Sequence, residues 1–223
     1  MRHPFLTVSI ATACLFAAAA GYAVSVKNTI QPASTLEQGV ENDEQISFLF
    51  YPIEQSFMIY PNTFDQLMEE SDAVVTVSTD DWGALSAHCT LRTCSVLHDL
   101  KGTVDVSQIY VYEPITSNGG YTSEMGYVPM IPGKEYMLFL KHSEGYDQSS
   151  DAKIKNGYYP ANYFYKKYSR ESSEPVLISD NETMSFSTLL QYSAIADQQA
   201  DLDRYQLFAE QCRQFFAEIP ETN

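Results

Sequence analysis

Apolar residues follow three regimes along this chain: an unbroken run at the start, alternating segments through the middle and a helical repeat at the end. The opening run, Phe5 to Val26 (FLTVSIATACLFAAAAGYAVSV), carries no charge and is closed by Lys27. As a helix it would extend roughly 33 Å, enough to cross a hydrocarbon core about 30 Å thick. It reads equally as a secretory signal, with Arg2 ahead of the apolar stretch and small residues around Gly21 and Ala23 suited to cleavage. Residues 1–26 are therefore a signal peptide or a transmembrane anchor, and either one exports the remainder. Lipid attachment at Cys14 fits less well, because the apolar stretch continues far beyond it.

Residues 27–45 (KNTIQPASTLEQGVENDEQ) have little periodicity and few large apolar groups, so burial there cannot offset the entropy of ordering. The pattern predicts a flexible tether, followed by one extracytoplasmic domain over 46–223. ISFLFYPIEQSFMIYP reads as short extended segments broken at Pro52 and Pro61. NTFDQLMEES predicts a short helix, with Thr63 capping the free amides, Gln66 reaching back, and Phe64, Leu67 and Met68 on one face. From Ser71 the period becomes two. DAVVTVST, TLRTCSVLHDLKG, SQIYVYEP and the end of MIPGKEYMLFLKH read as strands, the last entered through a Pro132-Gly133 turn. Ile109 and Val111 fall on one face of their strand, Tyr110 and Tyr112 on the other. YYPANYFYKKY and PVLISDNETMSF are further candidates, the second turning at Asp180-Asn181. Strands at this spacing without helices between them predict a mainly β domain, an antiparallel sheet or small barrel.

A helix closes the chain. In ADLDRYQLFAEQCRQFFAEIP the residues Leu202, Tyr205, Phe208, Cys212, Phe215 and Ile219 draw one apolar stripe, which should lie on the barrel. Asp201 and Asp203 suit its positive end and Arg213 its negative end, and Pro220 stops it.

Charge narrows the partners. With 29 acidic and 13 basic residues the formal charge is −16, a field that repels nucleic acid and anionic lipid surfaces. Membrane contact is left to the N-terminal segment. With 44% hydrophobic residues, the exported part can bury one core of ordinary size.

FDQLMEESDAVVTVS, then TCSVLHDLKG leading to IYVYE, then PMIPGKEYMLFLK, resemble a group of uncharacterised exported or membrane-anchored proteins of Gram-positive bacteria. The resemblance spans roughly residues 60–142 and implies an OB-type barrel like that of metalloproteinase inhibitors and netrin-like modules. Metalloproteinase inhibitors act through an N-terminal cysteine that chelates zinc. This sequence puts no cysteine at such a position, so the resemblance does not carry that mechanism.

Chemistry is thin. HCTLRTCSVLH sets Cys89, Cys94, His88 and His98 within one short stretch. As one strand it would aim Cys94 and His98 at one side and Cys89 at the other, too dispersed for one ion. A Cys89–Cys94 disulfide would require a hairpin at TLRT, since the two would otherwise stand about 16 Å apart. Cys212 reads as a core residue. No metal and no cofactor is expected. Ser86 lies near His88, without a nucleophile elbow or an orienting acid. Glu69-Glu70 and Asp80-Asp81 read as solvated faces, and DQSSD at 147–151 lacks the glycine and distal glutamate of a calcium loop.

Tyrosine is the outstanding residue, with 16 in the chain, and Tyr146, Tyr158, Tyr159, Tyr163, Tyr165 and Tyr168 lie close together. Read as one edge strand, on account of Pro160, 158–168 would turn Tyr158, Asn162, Phe164, Lys166 and Tyr168 outward. Tyr158, Phe164 and Tyr168, flanked by Lys166 and Lys167, then form a candidate binding edge for a cell-surface protein or glycan. Two functions remain: a non-catalytic binding module, tethered or secreted, and an extracytoplasmic hydrolase assembled in space from Ser86, His88, His98 and nearby acids.

Overall fold

The alternating middle of the chain closes on itself. The computed structural model describes residues 35–50, 61–142, 152–162, 164–179 and 182–219. The expected signal or anchor, the first part of the tether, Pro52, Tyr146, Tyr163, the 147–151 segment, Asp180-Asn181 and Pro220 lie outside them.

The second part of the expected tether is folded. Helix α1 (Leu36–Glu41) is capped by Thr35 and followed by strand β1 (Gln45–Leu49). Leu36 is buried, and Gly39 lies so close to Tyr121 and Phe186 that a Cβ there would stand 2.6 Å from the tyrosine ring. One leucine and one glycine anchor this turn of helix, too little to register as a period in the sequence.

Helix α2 (Phe64–Glu70) forms as expected. Thr63 Oγ1 accepts from Gln66 N–H (3.2 Å), while Gln66 Oε1 accepts from Asn62 N–H (2.9 Å). Strands β2 (Ala73–Ser78), β3 (Ala84–Leu85), β4 (Thr90–Asp99) and β5 (Gln108–Glu113) then run as an antiparallel meander, the short β3 pairing with β4. The hairpin β6 (Ile115–Ser117) and β7 (Tyr121–Glu124) leaves this sheet, and β8 (Glu135–His142) returns to the far edge of β2. After α3 (Ala152–Lys155), β9 (Gly157–Pro160) enters between β5 and β8 and closes a five-stranded barrel of β2, β4, β5, β9 and β8. Four of the five contacts are antiparallel and β5–β9 is parallel. Geometry requires this departure from the expected all-antiparallel sheet: an odd number of strands cannot alternate direction all the way round a ring. The interior is filled by Val75, Val77, Cys94, Ile109, Val111, Tyr136 and Leu138, all buried.

The LKG and PGK segments are structural. Asp99 accepts the amides of Lys101, Gly102 and Val104, and Gly102 takes φ +69°. Lys101 Nζ thereby reaches the last carbonyls of α2, donating to Met68 O (3.0 Å) and Glu69 O (3.2 Å) and to Ser71 O beyond them. Pro132 and Gly133 occupy the centre of a turn closed by Lys134 N–H on Ile131 O, with Gly133 at φ +79°.

After β10 (Lys167–Ser169), which extends the barrel sheet beside β8, come β11 (Val176–Leu177), β12 (Thr183–Ser185), α4 (Phe186–Leu189) and β13 (Ile195–Ala196). A second sheet, ordered β12-β1-β7-β6, rests on its own core of Leu36, Ile46, Tyr121, Phe186 and Ile195. Its strands are three to five residues long, too short to print a period.

Helix α5 (Gln199–Glu218) covers the outer face of β2 and β8, burying Leu202, Tyr205, Phe208, Cys212 and Phe216. The stripe therefore ends on Phe216, four residues after Cys212, and Phe215 is displaced to the flank, 5.8 Å from the Phe64 ring. Arg170, not Arg213, meets the negative end: it donates to Phe216 O (3.1 Å) while its guanidinium is clamped by Glu135 at 2.7 and 3.2 Å. Arg213 pairs with Glu210 on the exposed side.

Gly126 sits at φ +61°, and a Cβ there would lie 1.8 Å from Ile195 O, whose residue donates its own N–H back to Gly126 O. Gly126→Ala is expected to destabilise the domain by about 3 kcal/mol or more, whereas Gly102→Ala, with a similar φ and open space around it, should cost about 1 kcal/mol. Urea denaturation of the two variants measures the contrast.

Candidate functional site

Burial removes the expected binding edge. Tyr158 (8% exposed) fills the barrel, Phe164 (6%) and Tyr168 (2%) lie under α5, and Lys166 (2%) and Lys167 (6%) are enclosed. The parity fails for two reasons. Residues 157–160 run with Tyr158 inward and Tyr159 outward, and the chain then leaves the sheet at 161–166, where Asn162 Oδ1 accepts from the amides of Phe164 and Tyr165. Pro160 is tolerated because it ends β9, past the residues paired with β5; the strand itself is internal to the barrel and not the expected edge. The tyrosines instead build an aromatic layer: Tyr168 stacks on Tyr205 at 4.9 Å and meets Phe139 edge-on at 5.9 Å, and Tyr165 meets Phe208 at 5.3 Å.

The histidines and cysteines do not converge either. In the β2–β4 register Val77 pairs with Val96 and Thr76 with His98, so an extra residue, Leu97, bulges out of β4. The bulge turns His98 to the face opposite Cys94, against the expectation that the two share a side. Cys94 is buried, its thiol pushed well up by burial, and Cys89, Cys94 and Cys212 are all free. TLRT is continuous strand, so no hairpin brings Cys89 to Cys94. Among the described residues no cluster of His, Cys, Asp and Glu could hold a metal ion. Ser86 Oγ is occupied by its own turn, donating to Cys89 O (2.8 Å) and accepting from His88 and Cys89 amides. His88 is exposed.

A polar centre that sequence reading missed lies at one end of the barrel. Arg92 and Glu113, diagonal neighbours on β4 and β5 offset by two residues in register, form an ion pair (Nε to Oε2, 2.6 Å) with both side chains fully enclosed. Glu113 Oε1 also accepts from Met130 N–H (2.9 Å) and Tyr127 OH. Arg92 donates its remaining groups to Asp81 O and Met130 O, with Trp82 5.5 Å from its guanidinium carbon. Every charge-bearing atom is thereby bonded, the condition under which a buried pair survives desolvation.

Beside this centre stand the two lysines. Lys166 Nζ lies 4.2 Å above the Tyr127 ring; Lys167 Nζ is 4.7 Å from Tyr136 and 5.2 Å from Tyr127. Burial drives the Lys166 ammonium well below its ordinary range, with Lys167 adding to the fall. Burial also brings Lys167 down from 10.5 to about 7, opposed by Glu113 and reinforced by Arg92 and Lys134. Among the described residues no carboxylate hydrogen-bonds Lys167. Its side chain opens instead onto a cavity of about 350 Å³. Lys134, Tyr136, Lys167, Ser169 and Ser193 contribute polar groups to the wall, and Val128, Ile131 and Leu190 are among its apolar members. Lys134 is committed to Glu171 (2.6 Å), while Ser193 Oγ is buried with no hydrogen-bond partner among the described residues. The sequence signal for this site was the Lys166-Lys167 pair, singled out as surface charge; its burial depends on β10 joining β8.

No protein-family model matches the chain, and no curated protein matches it.

Arg92→Met alone should cost about 3–5 kcal/mol by leaving Glu113 buried and unpaired, and Glu113→Leu added to it should restore much of the loss. A double-mutant cycle in urea measures this. Lys167 contributes a pH slope: between about pH 7 and 10.5 the unfolded chain binds a proton that the folded chain has released, so stability rises with pH across that window. The stability of Lys167→Met relative to wild type should therefore fall as pH is raised through the window, by at most about 1.4 kcal/mol per pH unit. Parallel curves would remove Lys167 as the cause.

Proposed function

We propose that this chain is an exported, non-catalytic binding module of the OB-type group, tethered to the membrane or secreted through its apolar N-terminal run, and recognising a cell-surface protein or glycan. The observation that carries the reading is the barrel connectivity. Around the ring the strands follow the sequence order first, second, third, fifth, fourth, with the third and fifth parallel, which is the arrangement of an OB-type barrel. Such barrels serve as binding platforms in many unrelated proteins, and the likeness here is one of fold. The placement of Ser86, His88 and His98 supports the non-catalytic half. Ser86 is bonded to its own turn, His88 projects into solvent, and His98 is held on the sheet face opposite the barrel interior.

Export and binding are tested together by cross-linking the full chain in intact cells of its native host. The chain should be reached by an impermeant cross-linker or by added protease, and the captured molecule should re-bind the purified protein and be recovered chemically unchanged. Full-length chain protected in the cytosol would overturn the export reading. Covalent change in the captured molecule, lost in Ser86→Ala or His98→Ala, would make the protein a hydrolase instead.

A further inference from the structure

Resting on the binding-module reading, we propose that the cavity beside β10 binds a small organic carboxylate, held by the Lys167 ammonium and the Ser193 hydroxyl. Three observations converge on that chemistry. Lys167 is 94% enclosed, and aromatic faces take the place of a counter-ion around it. Ser193 Oγ, on a residue of the same cavity wall, is buried. An ammonium and a hydroxyl on residues that line one cavity, neither hydrogen-bonded among the described residues, match the two oxygens of one carboxylate.

The remaining walls choose between anions. Val128, Pro129, Ile131 and Leu190 give the cavity apolar surface for a compact carbon body, which inorganic phosphate lacks. The volume of about 350 Å³ lies at the lower end of the range for small-molecule sites. The hydroxyls of Ser169, Ser172 and Ser173 add a polar rim.

The charges around Lys167 leave it short of a partner. Arg92 on β4 and Glu113 on β5 neutralise each other, and Glu113 is further occupied by Tyr127 OH and Met130 N–H. Lys134, ahead of β8, is held by Glu171. Tyr136 on β8 gives its hydroxyl oxygen to Ile131 N–H, and Tyr205 on α5 shares its hydroxyl proton between Lys167 O and Ser193 O. Lys166, the neighbour in sequence, adds like charge when protonated. A bound carboxylate supplies the missing negative charge and draws a proton onto Lys167. Affinity should be level between about pH 5.5 and about pH 7 and fall about tenfold per pH unit above it, because the ligand binds as carboxylate and Lys167 as ammonium.

The test titrates the full chain in detergent with isobutyrate, isobutyramide and inorganic phosphate, by calorimetry at about pH 6 and about pH 8.5. Isobutyrate should bind at the lower pH and at least tenfold more weakly at the higher, and the neutral amide should not bind. Ser193→Ala should weaken isobutyrate several-fold, and Lys167→Met should abolish binding with the circular dichroism unchanged. If Lys167→Met fails to fold, Ser193→Ala and the pH profile decide. Phosphate binding as well as isobutyrate, or isobutyrate binding unchanged in Ser193→Ala and flat with pH, would overturn the assignment. So would absence of isobutyrate binding, and that failure would leave the binding-module reading to the intact-cell experiment.

Discussion

The Arg92–Glu113 pair is the constraint on which one end of the molecule depends. It joins two barrel strands to two segments with no regular structure, because Arg92 holds the carbonyls of Asp81 and Met130 and Glu113 holds Met130 N–H and Tyr127 OH. Those bonds fix the path of residues 125–131, which carries Gly126 against Ile195 and Tyr127 beneath the lysines. Gly83, at φ +77°, belongs to the same device: a Cβ there would meet Leu91 O at 2.7 Å and Arg92 Cδ at 2.8 Å. A charged pair of this kind contributes less to stability than a well-packed apolar pair would. Its contribution here is positional, tying loops whose own sequences have no strong structural preference.

The lysines depend on that arrangement in turn. Enclosing an ammonium without a bonded carboxylate is costly, and Lys167 meets the cost partly through the faces of Tyr127 and Tyr136. Both rings are held by their hydroxyls, Tyr127 on Glu113 and Tyr136 on Ile131 N–H. The aromatic richness of the chain thus has two uses: a layer between α5 and the sheet, and a lining for buried positive charge. Neither is the exposed surface that a count of tyrosines invites.

What the sequence made legible follows from length and period. The strands β2, β4, β5 and β8 run six to ten residues, β4 and β5 alternating between a buried and an open face and β2 and β8 buried on both, and helix α5 has five turns and more; these lengths let a period or a continuous β-prone run emerge. Thr63 and the Pro132-Gly133 turn were readable because single residue types carry their geometry. The second sheet was not, since its strands are too short, nor was the folded stretch at Leu36. Faces were misassigned wherever one residue interrupts the alternation, as Leu97 does in β4 and the Asn162 turn does after β9. Each such interruption inverts everything beyond it, which is why His98 was placed on the wrong side, and no single alternation describes 158–168, where Tyr158, Phe164, Tyr165 and Tyr168 are all buried. The candidate site was hidden for another reason: its members come from the 128–136 segment, β10 and the 190–193 segment, and only tertiary structure brings them together.

The parallel contact between β5 and β9 bears on the order of assembly. The meander β2-β4-β5 pairs segments close in sequence and β8 returns to β2 over a longer span, joining Ala73 to Leu140, whereas β9 is made last and must insert between two strands already separated by the width of the ring. Until residues 157–160 arrive, β5 and β8 both present unpaired backbone along a curved sheet. Synthesis delivers the chain gradually from its N-terminus, so the half-made domain is an open sheet with two adhesive borders and an uncovered apolar face awaiting α5. Closure at β9 is therefore the step that converts a strand-accepting surface into a self-contained one, and a chain stopped short of it is prone to join its neighbours.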